Sequence, residues 1–195
     1  MKLYEELPDR LIVGRKTYHV DLDFRNVLRM LEELRRDDLI EGAREYRALK
    51  CIMRHPPRNT RPVLRAAREL LFPARKESGT HERLTDFEQD ADLIRAAFLQ
   101  TYGIDLFQEK LHWLEFSSLL GSIPEGTRYA DILGIRSRPV PAATKWNSEQ
   151  RAAIIRAKQA CALDMTQGEQ EEQYRRSVVS VAASLKGLIR STESR

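Results

Sequence analysis

The chain has 195 residues, of which 42% are hydrophobic and 32% are charged, and its formal net charge is +4. This composition excludes a disordered chain, because it supplies enough apolar surface for a core without metal or disulfide staples. Glycine and proline are scarce, at 9 and 8 residues, which disfavours a turn-rich β-sandwich and favours helices.

The cysteines and the distribution of apolar residues exclude further classes of protein. Cys51 and Cys161 lie far apart without CxxC spacing, so neither a disulfide framework nor a zinc site is expected. Both thiols are expected to be small buried side chains in a reducing compartment. No run approaches the ~18 apolar residues of a membrane-spanning helix. The first ten residues also lack the apolar region of a signal peptide, so the chain is expected in the cytoplasm.

The N-terminal segment, residues 1–22, predicts a small β-hairpin packed on the rest of the chain. Gly14 can adopt the positive φ that a tight hairpin turn requires. The two arms carry β-branched and aromatic residues, namely Ile12, Val13, Tyr18 and Val20. A lone hairpin is marginally stable in water, so we expect it to lie against helices.

From Asp23 the apolar residues recur at helical spacing, and Asp23 itself is placed to cap the first helix. A second helix is expected from Leu39 to His55, and a third after a cap at Asn59 or Thr60, with Pro62 in its first turn. The expected inward residues of these three helices are Phe24, Val27, Leu28, Leu31 and Leu34, then Ala43, Tyr46, Leu49 and Met53, then Leu64, Ala67, Leu70 and Leu71.

Two further helices are predicted to meet at a tight corner. Thr85 or Asp86 caps the first, Gly103 ends it, Asp105 caps the second, and Gly121 ends that one. The first helix is expected to turn inward Phe87, Leu93, Ile94, Ala97 and Phe98. The residues assigned to the core of this corner are Phe98, Tyr102, Gly103, Asp105, Leu106, Trp113 and Phe116.

His112 and Trp113 raise the question of a catalytic site, but the favoured interpretation is structural. Trp113 is expected to be a core anchor, and His112 a partly buried side chain bonded to backbone. A general base needs an orienting partner, and no GxSxG, P-loop or GxGxxG motif occurs. No catalytic residue is therefore assigned, and the chain is not expected to be an enzyme.

The acidic run "DFEQDAD", residues 86–92, could suggest a calcium loop. It lacks the glycine at the sixth position and the closing glutamate at the twelfth that such a loop requires. The expected role of these carboxylates is to complement the positive end of a helix dipole. The four histidines show no metal-ligand spacing, so no metal and no cofactor are assigned.

The C-terminal third, residues 139–195, is predicted to be a basic helical extension after a helical core at 23–138. One helix opens at Asn147 or Ser148, with inward candidates Ala152, Ile155 and Ala162. A last helix carries an apolar stripe that either packs on the body or binds a partner, formed by Val178, Val181, Leu185 and Leu188. Basic residues are spread along this part without a known reader motif, so nucleic acid is not expected as a partner.

In total, the patterns predict a mainly α fold with six to eight helices in one domain and a small N-terminal hairpin. The stretch from Asp86 to Arg138 also resembles the phage gene product fifteen family, whose members come from tailed phages and prophages. The matching segments are "YGIDL", "LHWLEFSSLL" and "ILGIRSR", supported by "DFR" at 23–25, an early "LP…I…G…Y" pattern and "SEQRAAIIRAKQACAL" near the C-terminus.

This resemblance implies a helical protein without enzymatic activity that acts in tail assembly. Family members tend to be encoded between the tail tube and tape measure proteins, where tail assembly chaperones are usual. The resemblance therefore implies the tape measure protein as partner, with the tail tube protein and a second copy of the chain as further candidates. The alternative is a structural minor tail or head–tail joining component of the virion.

Overall fold

The computed structural model describes residues 5–73 and 83–164. The mainly α fold with an N-terminal hairpin is confirmed. The described elements, in chain order, are β1 (Arg10–Val13), β2 (Lys16–His19), α1 (Phe24–Arg35), α2 (Glu41–Ile52), α3 (Arg61–Leu71), α4 (Ala91–Tyr102), α5 (Trp113–Leu120), α6 (Arg128–Ser137) and α7 (Ser148–Ala160).

The chain divides into two compact units, residues 1–139 and residues 140–195. The first unit holds the hairpin, α1 to α6 and the hydrophobic core. In the described part of the second unit, α7 has no buried residue. Ala152 and Ala162 are exposed, so the inward positions predicted there are wrong, whereas Ile155 is half-buried. The apolar stripe predicted at 178–188 lies outside the described residues.

The hairpin is antiparallel, and its turn is made possible by Gly14, which has φ +62°. Strand β1 lies against α3 and buries Leu11, which is only 3% exposed. The neighbouring Ile12, which the sequence pattern placed among the apolar residues of the hairpin, points outward and is 74% exposed. Side chains alternate between the two faces of a strand, so burial of Leu11 forces Ile12 into solvent.

Helices α1 and α2 pack along each other. The caps predicted for α1 and α3 are observed only in part. Asp23 caps α1 by accepting a hydrogen bond from the Arg25 backbone N–H at 2.9 Å. Thr60 is the residue before α3, but its hydroxyl instead donates to the buried carboxylate of Glu45 on α2. This bond satisfies a carboxylate that would be costly to bury alone.

The buried face of α2 is rotated from the predicted one. Tyr46 is 42% exposed, whereas Ala48 and Ile52 are almost completely buried together with the expected Leu49. The helix is also shorter than predicted at both ends. Glu45 takes a core-facing position because it has a hydrogen-bond partner in Thr60, which a count of apolar residues cannot anticipate.

Both cysteines are half-buried, so the expectation of buried thiols is met only in part. Cys51 packs against the hydrophobic core. Burial is still the main influence on Cys51, and it raises the pKa of that thiol above its ordinary value. A raised pKa keeps the thiol protonated and poorly nucleophilic near neutral pH. Cys51 donates to the Arg47 carbonyl one helical turn earlier, at 3.5 Å.

Candidate binding site

The connector between α4 and α5, residues 103–112, joins the two helices that the sequence predicted to meet at a tight corner. Helix α4 ends as predicted at Gly103, which has φ +69° and donates its N–H to the Leu99 carbonyl at 3.1 Å. Only glycine adopts this left-handed conformation without steric cost, so it closes the helix efficiently.

Asp105 caps a single turn rather than a helix, so the prediction that α5 starts there is wrong. Its Oδ1 atom accepts from the Phe107 backbone N–H at 3.1 Å, but the helix begins only at Trp113. The guanidinium of Arg25 donates to the carbonyls of Leu106 and Glu109 in this connector, both at 2.7 Å. These bonds satisfy polar backbone groups of an irregular segment.

His112 is the true N-terminal cap of α5. Its Nδ1 atom accepts from the Leu114 backbone N–H at 3.1 Å, and the Glu115 carboxylate accepts from the His112 backbone N–H at 3.1 Å. This reciprocal arrangement is a capping box. The expectation that His112 is a partly buried side chain bonded to backbone is confirmed.

The starts of α1 and α5 are bonded to each other through backbone. The Phe24 N–H donates to the Leu111 carbonyl at 2.9 Å, and the Trp113 N–H donates to the Leu22 carbonyl at 2.7 Å. The imidazole Nε2 of His112 lies 3.1 Å from the Pro8 carbonyl. These bonds fix the position of the connector relative to the N-terminal segment.

Trp113 is a core anchor, as its sequence context predicted. It is 3% exposed, and its indole N–H donates to the Leu71 carbonyl at the end of α3, at 2.9 Å. The ring of Phe116 stacks between those of Phe24 and Phe98, with centroid separations of 4.6 and 5.3 Å. This aromatic cluster joins α1, α4 and α5.

The remaining residues assigned to the corner occupy different environments. Phe98 and Leu106 are buried, at 0% and 6% exposure. Tyr102 is half-buried and donates its hydroxyl to the Leu119 carbonyl at 2.8 Å. Asp105 is half-buried as well, and Gly103 is exposed. Val178, Val181, Leu185 and Leu188 lie outside the described residues.

Beside this corner an apolar pocket opens between α1 and α4, which we call the α1–α4 pocket. Its volume is about 250 Å³, and its lining is almost entirely apolar in exposed surface. Aromatic and aliphatic side chains form its interior. At one end, Leu106 and Phe107 of the connector form the wall. The lining residues are Phe24, Arg25, Leu28, Arg29, Phe87, Ala91, Ile94, Arg95, Leu106, Phe107 and Phe116.

Three arginines line the pocket, and two of them are fixed by contacts of their own. Arg25 holds Asp23 and the two connector carbonyls. Arg95 forms a two-pronged ion pair with Asp105, at 3.0 and 3.1 Å, and lies 4.1 Å over the Phe107 ring. Hydrogen bonding from Arg95, with help from the Phe107 N–H, lowers the pKa of Asp105 to about 2.

A family comparison bears on these features. The model of a family described as bacteriophage Gp15 protein matches residues 3–163, which is most of the chain. The chain belongs to this family. Membership confirms the resemblance seen in the sequence and implies a phage protein with a structural or assembly role. No curated protein and no solved structure matches the chain.

This Gp15-family chain also contains a buried ion pair near the pocket that the sequence alone does not predict. Asp90 is 1% exposed and receives two hydrogen bonds from the Arg136 guanidinium, at 2.7 and 2.9 Å. Arg136 also donates to the Leu84 carbonyl at 2.9 Å, and Thr85 joins Asp90 to the Tyr129 hydroxyl. The network binds the segment before α4 to α6.

The acidic run lies at the start of α4, as predicted, with Asp90 at the N-cap position and Asp92 in the first turn. The sequence did not predict that Asp86 and Asp90 are also buried and hydrogen-bonded to specific partners. Burial alone would raise the pKa of Asp90, but hydrogen bonds from Arg136 and the Asp86 N–H outweigh it and hold the pKa below its ordinary value. The only signal in the sequence was an acidic run followed by "RSR" at 136–138.

Within residues 5–73 and 83–164, no three histidine, cysteine or acidic side chains are grouped closely enough to hold a metal ion. In the same ranges, no helix has the length and apolar character to cross a membrane. One feature of these ranges that is suited to binding is the α1–α4 pocket of this Gp15-family chain, which offers an apolar interior lined by three arginines.

Proposed function

We propose that this protein is a non-enzymatic phage tail assembly protein that binds the tape measure protein as a chaperone in the bacterial cytoplasm. Family membership is the single observation that carries the assembly role. A tape measure protein is a long helical chain whose apolar stripes need cover before the tail tube forms around it. An open apolar pocket between two helices supports this proposal, because such pockets accept side chains from a partner helix.

The test is co-expression with the tape measure protein of the same phage. The chaperone role predicts that co-expression keeps the tape measure protein soluble and that the two proteins co-purify. A matched control expresses the tape measure protein with an unrelated helical protein of similar size and charge. Equal aggregation with the Gp15-family protein and with this control would reject the proposal.

The alternative role, a structural minor tail or head–tail joining component, is separated by the composition of the mature particle. A chaperone leaves after assembly, so mass spectrometry of purified virions should find no copies of the chain. A fixed copy number per virion would favour the structural role. The tail tube protein and a second copy of the chain are tested as partners in the same co-purification and by sedimentation of the purified protein.

A further inference from the structure

The α1–α4 pocket combines an apolar interior with charged lining residues of one sign. Three arginines line it, and among the eleven described lining residues none is Asp or Glu. The carboxylates of Asp23 and Asp105 bind Arg25 and Arg95 at the ends of the site. Its volume of about 250 Å³ lies below the range of roughly 300–1,000 Å³ typical of small-molecule sites, so an inserted side chain is the better fit.

Arg29 differs from the other two arginines because its charge is not neutralised locally. Its side chain is exposed and donates to the Asn26 amide oxygen at 3.3 Å. In the part of the chain that the structure describes, no carboxylate lies within ion-pair distance of it. An arriving carboxylate could therefore pair with Arg29 without breaking an existing salt bridge.

Phe107 supplies a second feature suited to a partner. It is 73% exposed at the end of the pocket, yet it is held in place by the Arg95 guanidinium above its ring and by the Asp105 cap beneath its backbone. An exposed aromatic side chain that is already ordered loses little conformational entropy on binding. Such residues commonly contribute strongly to interfaces.

We propose that the α1–α4 pocket binds an acidic amphipathic helix of the partner protein, with an apolar anchor in the pocket and a carboxylate against Arg29. The partner's identity as an assembly protein rests on the proposed function, whereas the chemistry of the helix rests on the pocket. Apolar contact supplies affinity, and the lining arginines discriminate against basic helices.

The chain's own C-terminal stripe is a poor occupant on the same argument. The segment around residues 178–188 carries Arg175, Arg176, Lys186 and Arg190, with no acidic residue between 174 and 192. Binding of this segment would bring like charges to Arg29 and cost binding free energy. A synthetic peptide of residues 174–191 should therefore fail to compete for the pocket, and effective competition would overturn the assignment of an acidic partner.

The direct test uses two fluorescent 21-residue helical peptides that share a leucine stripe and differ only in their flanking residues, glutamate in one and lysine in the other. Anisotropy titrations with the full-length protein should show the glutamate peptide binding at least several-fold more tightly. This preference should shrink as salt screens the charges of the lining arginines. Equal binding of both peptides would overturn the proposal.

Variants of the pocket locate the binding site. Ala91 lines the pocket and is exposed, so Ala91→Trp should block entry and abolish peptide binding while the protein stays folded. Ala96→Trp places the same ring on an exposed position of the same helix outside the lining, and it should bind normally. Thermal melts check folding of both variants. Equal peptide affinity in the two variants would overturn the site.

Charge reversal tests the role of Arg29. Arg29→Glu should weaken the glutamate peptide by roughly fivefold or more and strengthen the lysine peptide. Lys50→Glu makes the same change in net charge at an exposed position of α2 outside the pocket, and it should leave both affinities unchanged. Equal effects of the two substitutions would attribute the preference to net charge and overturn the role of Arg29.

The two proposals fail in different ways. If the tape measure protein co-purifies equally with Ala91→Trp and Ala96→Trp, the pocket assignment is overturned and the chaperone role stands. If the peptides bind as expected but the tape measure protein neither co-purifies nor stays soluble, the chaperone role is overturned and the pocket assignment stands. Loss of a dimer in Ala91→Trp, seen by sedimentation, would show a second copy as occupant and overturn the acidic partner.

Discussion

Helix α4 takes part in two arginine–carboxylate pairs with nearly the same geometry and very different surroundings. At its start, Asp90 accepts hydrogen bonds from both terminal nitrogens of Arg136. The Asp90 side chain is 2% exposed and the Arg136 side chain 11%. In its middle, Arg95 holds both oxygens of Asp105, and these side chains are 39% and 21% exposed. Hydrogen-bond geometry alone therefore does not determine whether an ion pair stabilises the fold.

The Asp90–Arg136 pair belongs to the packing of the first unit, because removal of either partner leaves a charge enclosed by protein. The Arg95–Asp105 pair stands in contact with water and stabilises little by itself, since solvent screens it. Its effect is positional, because it keeps the connector and Phe107 at the end of the α1–α4 pocket. The following four experiments test this division between packing and positioning.

The largest effect is expected for Arg136→Ala. This change leaves the Asp90 carboxylate buried and without its cationic partner, and it also removes the hydrogen bond to the Leu84 carbonyl. We expect a loss of about 3–5 kcal/mol in the free energy of unfolding, measured by urea denaturation. Arg128→Ala, at an exposed position of the same helix, should cost far less. A similar loss in both variants would contradict the special role of Arg136.

Removing both members of the buried pair is expected to lower the free energy of unfolding by less than the two single substitutions added together. In the double variant Asp90→Ala with Arg136→Ala, no unpaired charge remains from this pair. Its destabilisation should therefore fall short of the sum of the single variants by about 0.5–3 kcal/mol. A double-mutant cycle in urea gives this coupling energy. Strict additivity would show that the two side chains stabilise the fold independently.

Arg95→Ala should move the unfolding midpoint much less than Arg136→Ala, because the exposed pair is screened by water. Binding of the glutamate peptide should nevertheless weaken, since Phe107 loses the guanidinium that lies over its ring. Arg65→Ala removes another exposed ion pair, that with Glu69 on α3, and should leave peptide binding intact. A midpoint shift as large as that of Arg136→Ala would remove the distinction between the pairs.

The smallest effect is a pH dependence from Asp105. Its folded-state pKa of about 2 lies below the ordinary value of 3.8, so it contributes stability above pH 3.8 and loses that contribution as the pH falls toward 2. The stability difference between the wild type and Asp105→Asn should therefore shrink between pH 3.8 and 2. Urea denaturation across this interval measures it. A difference that is constant with pH would contradict the Arg95–Asp105 ion pair.

The sequence predicted features that depend on neighbouring residues. The cap at Asp23, the helix end at Gly103 and the burial of Trp113 follow from local chemistry and hydrophobic spacing, and all three are confirmed. Such features need only a few residues of context, because helix caps and apolar faces are set within one or two turns. The family resemblance came from the same stretch of sequence and is also confirmed.

The features that were missed depend on contacts between distant parts of the chain. Helix α5 starts at Trp113, and the connector before it is held by hydrogen bonds from the distant Arg25, which no pattern near residue 105 reveals. The Asp90–Arg136 pair likewise joins residues 46 positions apart. Prediction of the pocket would require the pairing of the helices, because the pocket forms where the apolar stripes of two helices face each other. The partner role of the stripe at 178–188 stays a prediction.

The backbone bonds between residues 22–24 and residues 111–113 have a consequence for how the chain folds. They close a loop that contains α1, α2, α3 and α4, and the entropy lost in closing such a loop must be recovered by contacts that form late. During synthesis, α1 can pair with α2 early. The backbone bonds of its first turn to residues 111–113 can form only after that part of the chain has emerged from the ribosome. Amide hydrogens of Phe24 and Trp113 should therefore exchange with solvent together, as one cooperative unit.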